Sequence, residues 1–447
     1  MNENILRKKA LKYHRLKEKP GKIEISLTKP SKTQADLSLA YTPGVAYPSL
    51  EIAKKKQNSY KYTNRGNLIA ILSNGSAILG LGDLGPEAAY PVMEGKALLF
   101  KNYADIDAFP LCIHGRKNSQ TYQTHPAKII EFAKEIAPSV GGINLEDIKA
   151  PECFEIEEEL TRKLDIPVFH DDQHGTAIIT VAALINALKL TGKKIDKVKC
   201  VFSGAGAAGI ATAKLFLAAG VKKKNLFLCD SKGVIYKGRK IGMNAYKKEF
   251  AISTKARSLK TALKNADVFI GVSRKNLLRP SMVKSMAKDP IIFAMANPWP
   301  EIMPDLARQS GAFIIGTGRS DFPNQINNVL GFPGLFRGLL DTRAKIINTE
   351  MKLAAAKALA DLTEQAVPPK IKKHFKKAYP KDFKKGIFNA KNPLNQDYVI
   401  PKPLDPRVVP LVAQKVAKAS IETKSARKKI ASLKKYRESI EKRIQNL

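Results

Sequence analysis

The segment Cys200-Val201-Phe202-Ser203-Gly204-Ala205-Gly206-Ala207-Ala208-Gly209 constrains the fold more than any other part of this chain. An apolar run leads into Gly-x-Gly-x-x-Gly, and the helix-like stretch Ile210 to Ala219 follows at once. Gly204 permits a tight turn, Gly206 lets the backbone approach a pyrophosphate, and Gly209 allows close packing of helix on strand. The helix start offers unpaired N–H groups to a phosphate. Gly204, Ala205, Gly206, Ala207, Ala208 and Gly209 are therefore candidate dinucleotide-binding positions. Apolar stretches at Val198–Phe202, Leu226–Cys229, Val268–Val272, Ile291–Ala296 and Phe313–Thr317 alternate with helical ones. That alternation predicts βαβ units and a mostly parallel sheet. Asp230 ends the strand after the glycine loop, where an acid holds a ribose 2′-hydroxyl, which suits NAD. Ser231 and Lys232 follow directly and could take a 2′-phosphate, so NADP stays open.

Two acidic clusters precede this region. Gly141-Gly142-Ile143-Asn144-Leu145-Glu146-Asp147 sets adjacent carboxylates after an apolar run. Pro167-Val168-Phe169-His170-Asp171-Asp172-Gln173-His174-Gly175-Thr176 does the same after a strand-like segment. Carboxylates gathered in one pocket repel one another and stay partly protonated unless a cation sits among them. Oxygen donors of this kind suit Mg2+ or Mn2+. The alternative is a pair of solvated acidic loops. His170 and His174 are read as supporting residues rather than ligands, because an oxygen-only shell suits Mg2+.

The chain has 447 residues and a net charge of +37, from 77 Lys and Arg against 40 Asp and Glu. The basic residues are mostly Lys, spread along the chain and densest near the end. No zinc-finger spacing or aromatic RNA-binding motif accompanies them. The surplus is read as a solvated surface rather than a nucleic-acid partner. No apolar run approaches a membrane span, and the charged N-terminus has no secretory core. Cys112, Cys153, Cys200 and Cys229 are scattered, as expected of free thiols in a reducing cytoplasm.

Composition divides the chain into residues 1–180, 181–345 and 346–447. In the first, Leu68–Leu72 reads as a buried strand, with a second strand at Ala77–Gly82 after a Ser-Asn-Gly turn. Val181–Leu190 reads as a helix ended by Thr191-Gly192. After an Ala-rich helix at Glu350–Ala366, residues 367–407 read as irregular and 408–447 as basic helix.

Acidic metal-type clusters ahead of a dinucleotide fingerprint, in this order, resemble bacterial malic enzymes of the NADP-dependent multidomain type. The matching motifs are Leu39-Ala40-Tyr41-Thr42-Pro43-Gly44-Val45-Ala46, Leu79-Gly80-Leu81-Gly82-Asp83-Leu84-Gly85 and Pro91-Val92-Met93-Glu94-Gly95-Lys96. Gly141 to Glu152, Ile166 to Ile178, Cys229 to Gly238, Ala296-Asn297-Pro298 and Gly318 to Gly334 also match. The resemblance implies an α/β fold: an N-terminal substrate- and metal-binding domain, a Rossmann-like domain over 181–345, and C-terminal helices.

It further implies oxidative decarboxylation of malate to pyruvate and CO2 with reduction of NAD or NADP, in a homo-oligomer. Carried over by motif, Glu146, Asp147 and Asp172 hold the metal, Lys96 is the general base and Tyr41 the general acid, with Asp171 beside them. Asn297 and Asn328 touch the substrate or the nicotinamide ribose. Two departures stand out. Larger relatives carry a carboxylate-binding arginine where this chain has Ser76-Ala77, and the multidomain relatives continue into a phosphotransacetylase-like domain not expected here. Two other readings are a malate dehydrogenase that releases oxaloacetate, and a non-catalytic polyanion-binding scaffold on the same fold.

Overall fold

The computed structural model describes residues 3–15, 20–118 and 121–445. Two parallel sheets organise them. The first has four strands in the spatial order Asp107–Cys112, Leu68–Ser73, Gly142–Leu145, Val168–His170. All its pairings are parallel, with Ile69 opposite both Ala108 and Gly142. Strands covered on both faces read as continuous apolar runs, and Ile69, Ala70, Ile71 and Leu72 are fully buried.

The second sheet has the order Ile314–Thr317, Ile291–Ala294, Val268–Gly271, Cys200–Ser203, Leu226–Asp230, Gly233–Val234. Only the last strand, a short hairpin return, is antiparallel. The order reverses between Cys200–Ser203 and Val268–Gly271, so the crevice at their carboxyl ends is the expected ligand position. The same reversal occurs in the first sheet between Leu68–Ser73 and Gly142–Leu145.

The helix Asp171–Thr191 joins the two sheets. It starts ten residues earlier than its apolar stretch at Val181 predicts, because the acidic pair Asp171 and Asp172 forms its first turn, where carboxylates favour the positive end of the helix dipole. Among the described residues it is the one helix long and apolar enough to cross a membrane, and 67% of that stretch is buried within the protein. It packs against the helices Ala207–Ala218 and Thr349–Thr363.

Two other expectations change. Residues Ala77 to Gly82 form a looped turn rather than a strand: Leu79, Gly80 and Gly82 all have positive φ, and Ala77 N–H donates to the Asp147 carbonyl. An extended backbone cannot pass through three left-handed residues. The Lys- and Pro-rich segment 367–407 carries two helices, Pro369–Ala378 and Pro380–Lys384. Phe375, Phe388 and Tyr398 form a small buried cluster beneath its lysines.

The helix Val408–Glu422 lies in the core, packed against the helix Phe332–Thr342. The contact is close because Gly334 and Gly338 face it. A Cβ on Gly338 would lie 2.7 Å from the Ala413 carbonyl oxygen, and one on Gly334 would lie 2.7 Å from Val412 Cβ. Backbone cannot yield as a flexible side chain can. Gly338→Val should therefore destabilise the protein by about 2 kcal/mol or more, read as a lowered denaturation midpoint; an unchanged midpoint would show that the two helices are free to separate.

Candidate active site

The strand Gly142–Leu145 delivers Glu146 and Asp147 to the carboxyl end of the first sheet, and the neighbouring strand Val168–His170 delivers Asp171 and Asp172. Lys96 reaches the same point from the helix Pro86–Ala104. Its buried ammonium donates to Asp171 and lies 3.0 Å from Glu146 Oε2. It also sits 3.9 Å from the centre of the Phe332 ring, an attractive cation–π placement. Asn144 donates to Glu146 at 2.9 Å, and the Asp147 N–H donates to Asp172 Oδ2 at 2.8 Å. Asn328 donates to Asp171 Oδ2 at 2.9 Å and accepts from Thr176. Gly175 makes this possible, since a Cβ there would collide with the Asp171 carboxylate.

Burial, aided by the other acids nearby, pushes the Glu146 carboxyl well above its usual range. Burial and the charge of Asp172 push Asp147 up to about 8. Burial alone would lower the Lys96 pKa, but the attraction of Asp171 and Glu146 outweighs it and raises it. Asp147 Oδ2 and Asp171 Oδ1 are buried without a hydrogen-bond partner. The donors share one pocket but are not closed into a coordination shell: among the described residues, no group of three or more His, Cys, Asp or Glu is arranged to hold a metal. Lys96 draws Glu146 and Asp171 to itself, while Asp172 turns to a backbone N–H. Orphaned acceptors and mutually repelling, desolvated acids nonetheless make a donor set that fits a hard divalent cation.

The glycine loop opens on the same cavity, of about 850 Å3. Its wall includes Lys96, Glu146, Asp147, Asp171 and Asp172, and also Ala208, Ser273, Asn297 and Asn328. Gly204 has φ +123°, and a Cβ on it would lie 2.5 Å from the Val272 carbonyl oxygen. The helix Ala207–Ala218 begins at Gly206 with no side-chain cap, leaving its first N–H groups free for an anion. Asp230 is not a free acceptor. Arg239 donates to both its oxygens at 2.6 and 2.7 Å, Lys247 donates at 2.8 Å, and the Lys232 N–H at 2.9 Å. Burial would raise the Asp230 pKa, but hydrogen bonds from Lys247 and Arg239 hold it low. Ser231 and Lys232 are exposed beside this cluster.

Comparison with known proteins matches residues 20–161 to the malic enzyme N-terminal domain and residues 173–380 to the malic enzyme NAD binding domain. A Rickettsia prowazekii protein named "Probable NADP-dependent malic enzyme" is 53% identical over 97% of this chain and 54% of its own length. The "Bifunctional malic/malolactic enzyme" of Bacillus subtilis is 51% identical over 94% of this chain and 95% of its own. The chain belongs to the malic enzyme family. A crystal structure of malic enzyme from Pyrococcus horikoshii superposes with a TM-score of 0.86 at 41% identity, covering 98% of this chain and 96% of that one. The chain thus spans about half the length of the Rickettsia relative and nearly all of the Bacillus and Pyrococcus proteins.

Within this malic enzyme fold one cavity gathers Lys96, Glu146, Asp147, Asp171, Asp172, Asn297 and Asn328 with Ala208 of the glycine loop, while the rest of that loop, Asp230, Ser231, Lys232 and Tyr41 lie outside its wall. Tyr41 ends the helix Gln34–Ala40, is 73% exposed and does not line the cavity. Ser76 does not fill the role of the missing arginine either, since its hydroxyl is taken up by Asn74 and by the Lys149 N–H.

Two buried carboxylates that sequence reasoning missed hold the site in shape. Glu301 accepts from the Ser273 and Ala296 N–H groups, tying together the two loops beside Asn297. Glu157 accepts from the His170 N–H at 2.9 Å, from Gln173 at 3.0 Å and from His174 at 2.9 Å. It fixes the turn that carries Asp171 and Asp172, and Lys352 approaches His174 from behind at 3.0 Å. His174 thus faces away from the acids, and His170 is fully buried with its Nδ1 3.7 Å from Asp172. A signal for Glu157 existed: Cys153, Phe154, Ile156, Glu157 and Leu160 share the buried face of the helix Glu152–Lys163, so this acid sits on an apolar stripe.

Burial would raise the Glu157 pKa, but His174 and Lys352 outweigh it and bring it down to about 2, from 4.5. A carboxylate depressed in this way contributes stability that is complete above pH 4.5 and lost as the pH falls towards 2. Glu157→Gln should flatten acid denaturation in that window and lower kcat with malate, while leaving the KM for the dinucleotide unchanged. An acid profile identical to that of the native protein would remove Glu157 from this role.

Proposed function

We propose that this protein oxidises and decarboxylates malate to pyruvate and CO2, reducing NADP in preference to NAD. The observation that carries the reading is Lys96, buried between Glu146 and Asp171 in the cavity onto which the dinucleotide loop opens. Glu146, Asp147 and Asp172 would hold Mg2+ or Mn2+, which when bound supplies Lewis-acid polarisation of the substrate hydroxyl and stabilisation of the enolate, while the dinucleotide supplies the hydride acceptor.

The chain's own groups do the rest. Lys96 Nζ takes the hydroxyl proton; burial favours its neutral form and the neighbouring carboxylates oppose this, so its proton affinity falls whenever either acid is engaged elsewhere. Asp171 and Asn328 orient that amine and the substrate. Asn297 faces the nicotinamide side of the cavity. After CO2 leaves, Tyr41 returns a proton to C3 of the enol.

Tyr41, exposed and outside the wall of this cavity, would act in the cavity of a second molecule. Leu37, Leu39, Tyr41, Tyr47 and Leu50 are all more than half exposed, an apolar face of the kind that marks an interface. A second copy covering this face accounts for it, and a homo-oligomer with shared sites follows. A cytoplasmic location fits the four free thiols.

Purified protein given malate, Mn2+ and NADP+ should release CO2 and pyruvate in step with NADPH; accumulation of oxaloacetate without CO2 would favour the dehydrogenase alternative. Lys96→Ala and Tyr41→Phe should each lose about a thousandfold in kcat, and mixing the two inactive proteins should restore turnover. No recovery on mixing would confine each site to one chain.

The preference for NADP rests on Asp230. Its charge is already matched by Arg239 and Lys247, leaving the pocket a cationic excess suited to a 2′-phosphate rather than a bare carboxylate suited to a ribose hydroxyl. Arg239→Ala would bare the Asp230 carboxylate and should lower kcat/KM for NADP+ by about tenfold while affecting NAD+ far less, as repulsion of a 2′-phosphate by an unmatched acid would. An equal loss with both coenzymes would refute the assignment.

A further inference from the structure

A second cavity, of about 600 Å3, lies at the opposite end of the first sheet from the acidic cluster. It is bounded by residues 55–67 ahead of the strand Leu68–Ser73, by the end of the helix Phe332–Thr342, and by the C-terminal residues Lys428 and Arg443. Six cationic side chains line it and only one acid, Asp341. Asp341 is fully engaged: Arg337 donates to both its oxygens at 2.6 and 2.9 Å, and Tyr436 donates at 2.7 Å. Arg443 is matched by Asp105. Lys55, Arg343 and Lys428 make no ion pair among the described residues, and Lys61 has only the partly exposed Glu51 near it, so positive charge in excess faces one space.

Arg343 is the informative member. It caps the helix Phe332–Thr342 in a left-handed conformation, with φ 48°. Its guanidinium lies 5.5 Å from the Tyr60 ring, which also carries Arg65 at 4.7 Å. Its Nε is buried and has no hydrogen-bond acceptor. A buried, charged donor without an acceptor calls for one supplied from outside the chain. Planar guanidinium donors match carboxylate and phosphate oxygens, and ammonium groups add charge without demanding geometry. The volume is that of a small-molecule site.

We propose that this cavity binds a compact anion carrying two or more phosphate or carboxylate groups, separate from the dinucleotide site. The helix Phe332–Thr342 connects the two places, with Phe332 against Lys96 at one end and Arg343 in the basic cavity at the other. The inference stands apart from the reaction proposed above, because it concerns binding at the far end of the sheet.

The test is calorimetric titration of the intact, metal-free protein saturated with NADP+, at roughly 0.15 M ionic strength. Inorganic pyrophosphate and citrate are titrated separately, so that a phosphate ligand and a carboxylate ligand are told apart. At least one should bind with a Kd below about 1 mM, and Arg343→Gln combined with Lys428→Gln should weaken it at least about tenfold. Lys96→Ala should bind as the native protein does. Should the double variant fail to fold, Lys61→Gln, at an exposed position, should still weaken binding about threefold. Absence of binding by both anions, affinity unaltered in these variants, or affinity lost in Lys96→Ala would each overturn the proposal.

Discussion

The structure turns on one buried ammonium group held among carboxylates. Lys96, Glu146, Asp147 and Asp171 have all left water, and none of them could bear this alone. A lone buried charge costs several kcal/mol, whereas a matched set recovers most of that through mutual attraction. The match here is incomplete: two carboxylate oxygens have no partner, and two acids are pushed towards their protonated forms. The folded protein therefore carries a local electrostatic deficit that an added positive charge relieves. Readiness for a cation is built into the fold through the same residues that hold the Lys96 amine.

The rest of the architecture serves to bring that cluster against the glycine loop. Each sheet places its reactive residues at the carboxyl ends of its strands, beside the point where the strand order reverses. A chain with two such sheets needs the two openings to face each other. The helix Asp171–Thr191 achieves this by starting in one opening and running through the shared core towards the strand that leads into the other. Its middle, Ala177–Leu188, is apolar but for Thr180 and Asn186, and only Ile185 there is not buried, as follows from being covered on most sides. Glu157 and Glu301 then fix the two rims, each by accepting backbone N–H groups from the loops that carry functional side chains.

Parts of this arrangement were legible in the sequence because local geometry alone dictates them. The glycine loop could be placed because only glycine meets the backbone demands at Gly204 and Gly209. Five of the six strands of the second sheet could be placed because buried parallel strands are continuously apolar. Features set by distant partners were not legible. The turn at Ala77–Gly82 depends on the Asp147 carbonyl, some seventy residues away in sequence. The neutralisation of Asp230 depends on Arg239 and Lys247, two residues in a stretch that reads as ordinary loop. Tyr41 belongs to one of the matching motifs, yet it lies exposed after the helix Gln34–Ala40, a placement that no local pattern encodes.

The last helix, Leu433–Gln445, has a bearing on how the molecule is made. Arg443 donates to Asn67, 376 positions earlier, and to Asp105, 338 positions earlier. During synthesis these early groups emerge from the ribosome long before their cationic partner exists. Contacts of such long sequence separation close slowly and late. The amino ends of the strands Leu68–Ser73 and Asp107–Cys112 thus stay unlatched through most of translation, until the helix Leu433–Gln445 has been made and packs back onto them.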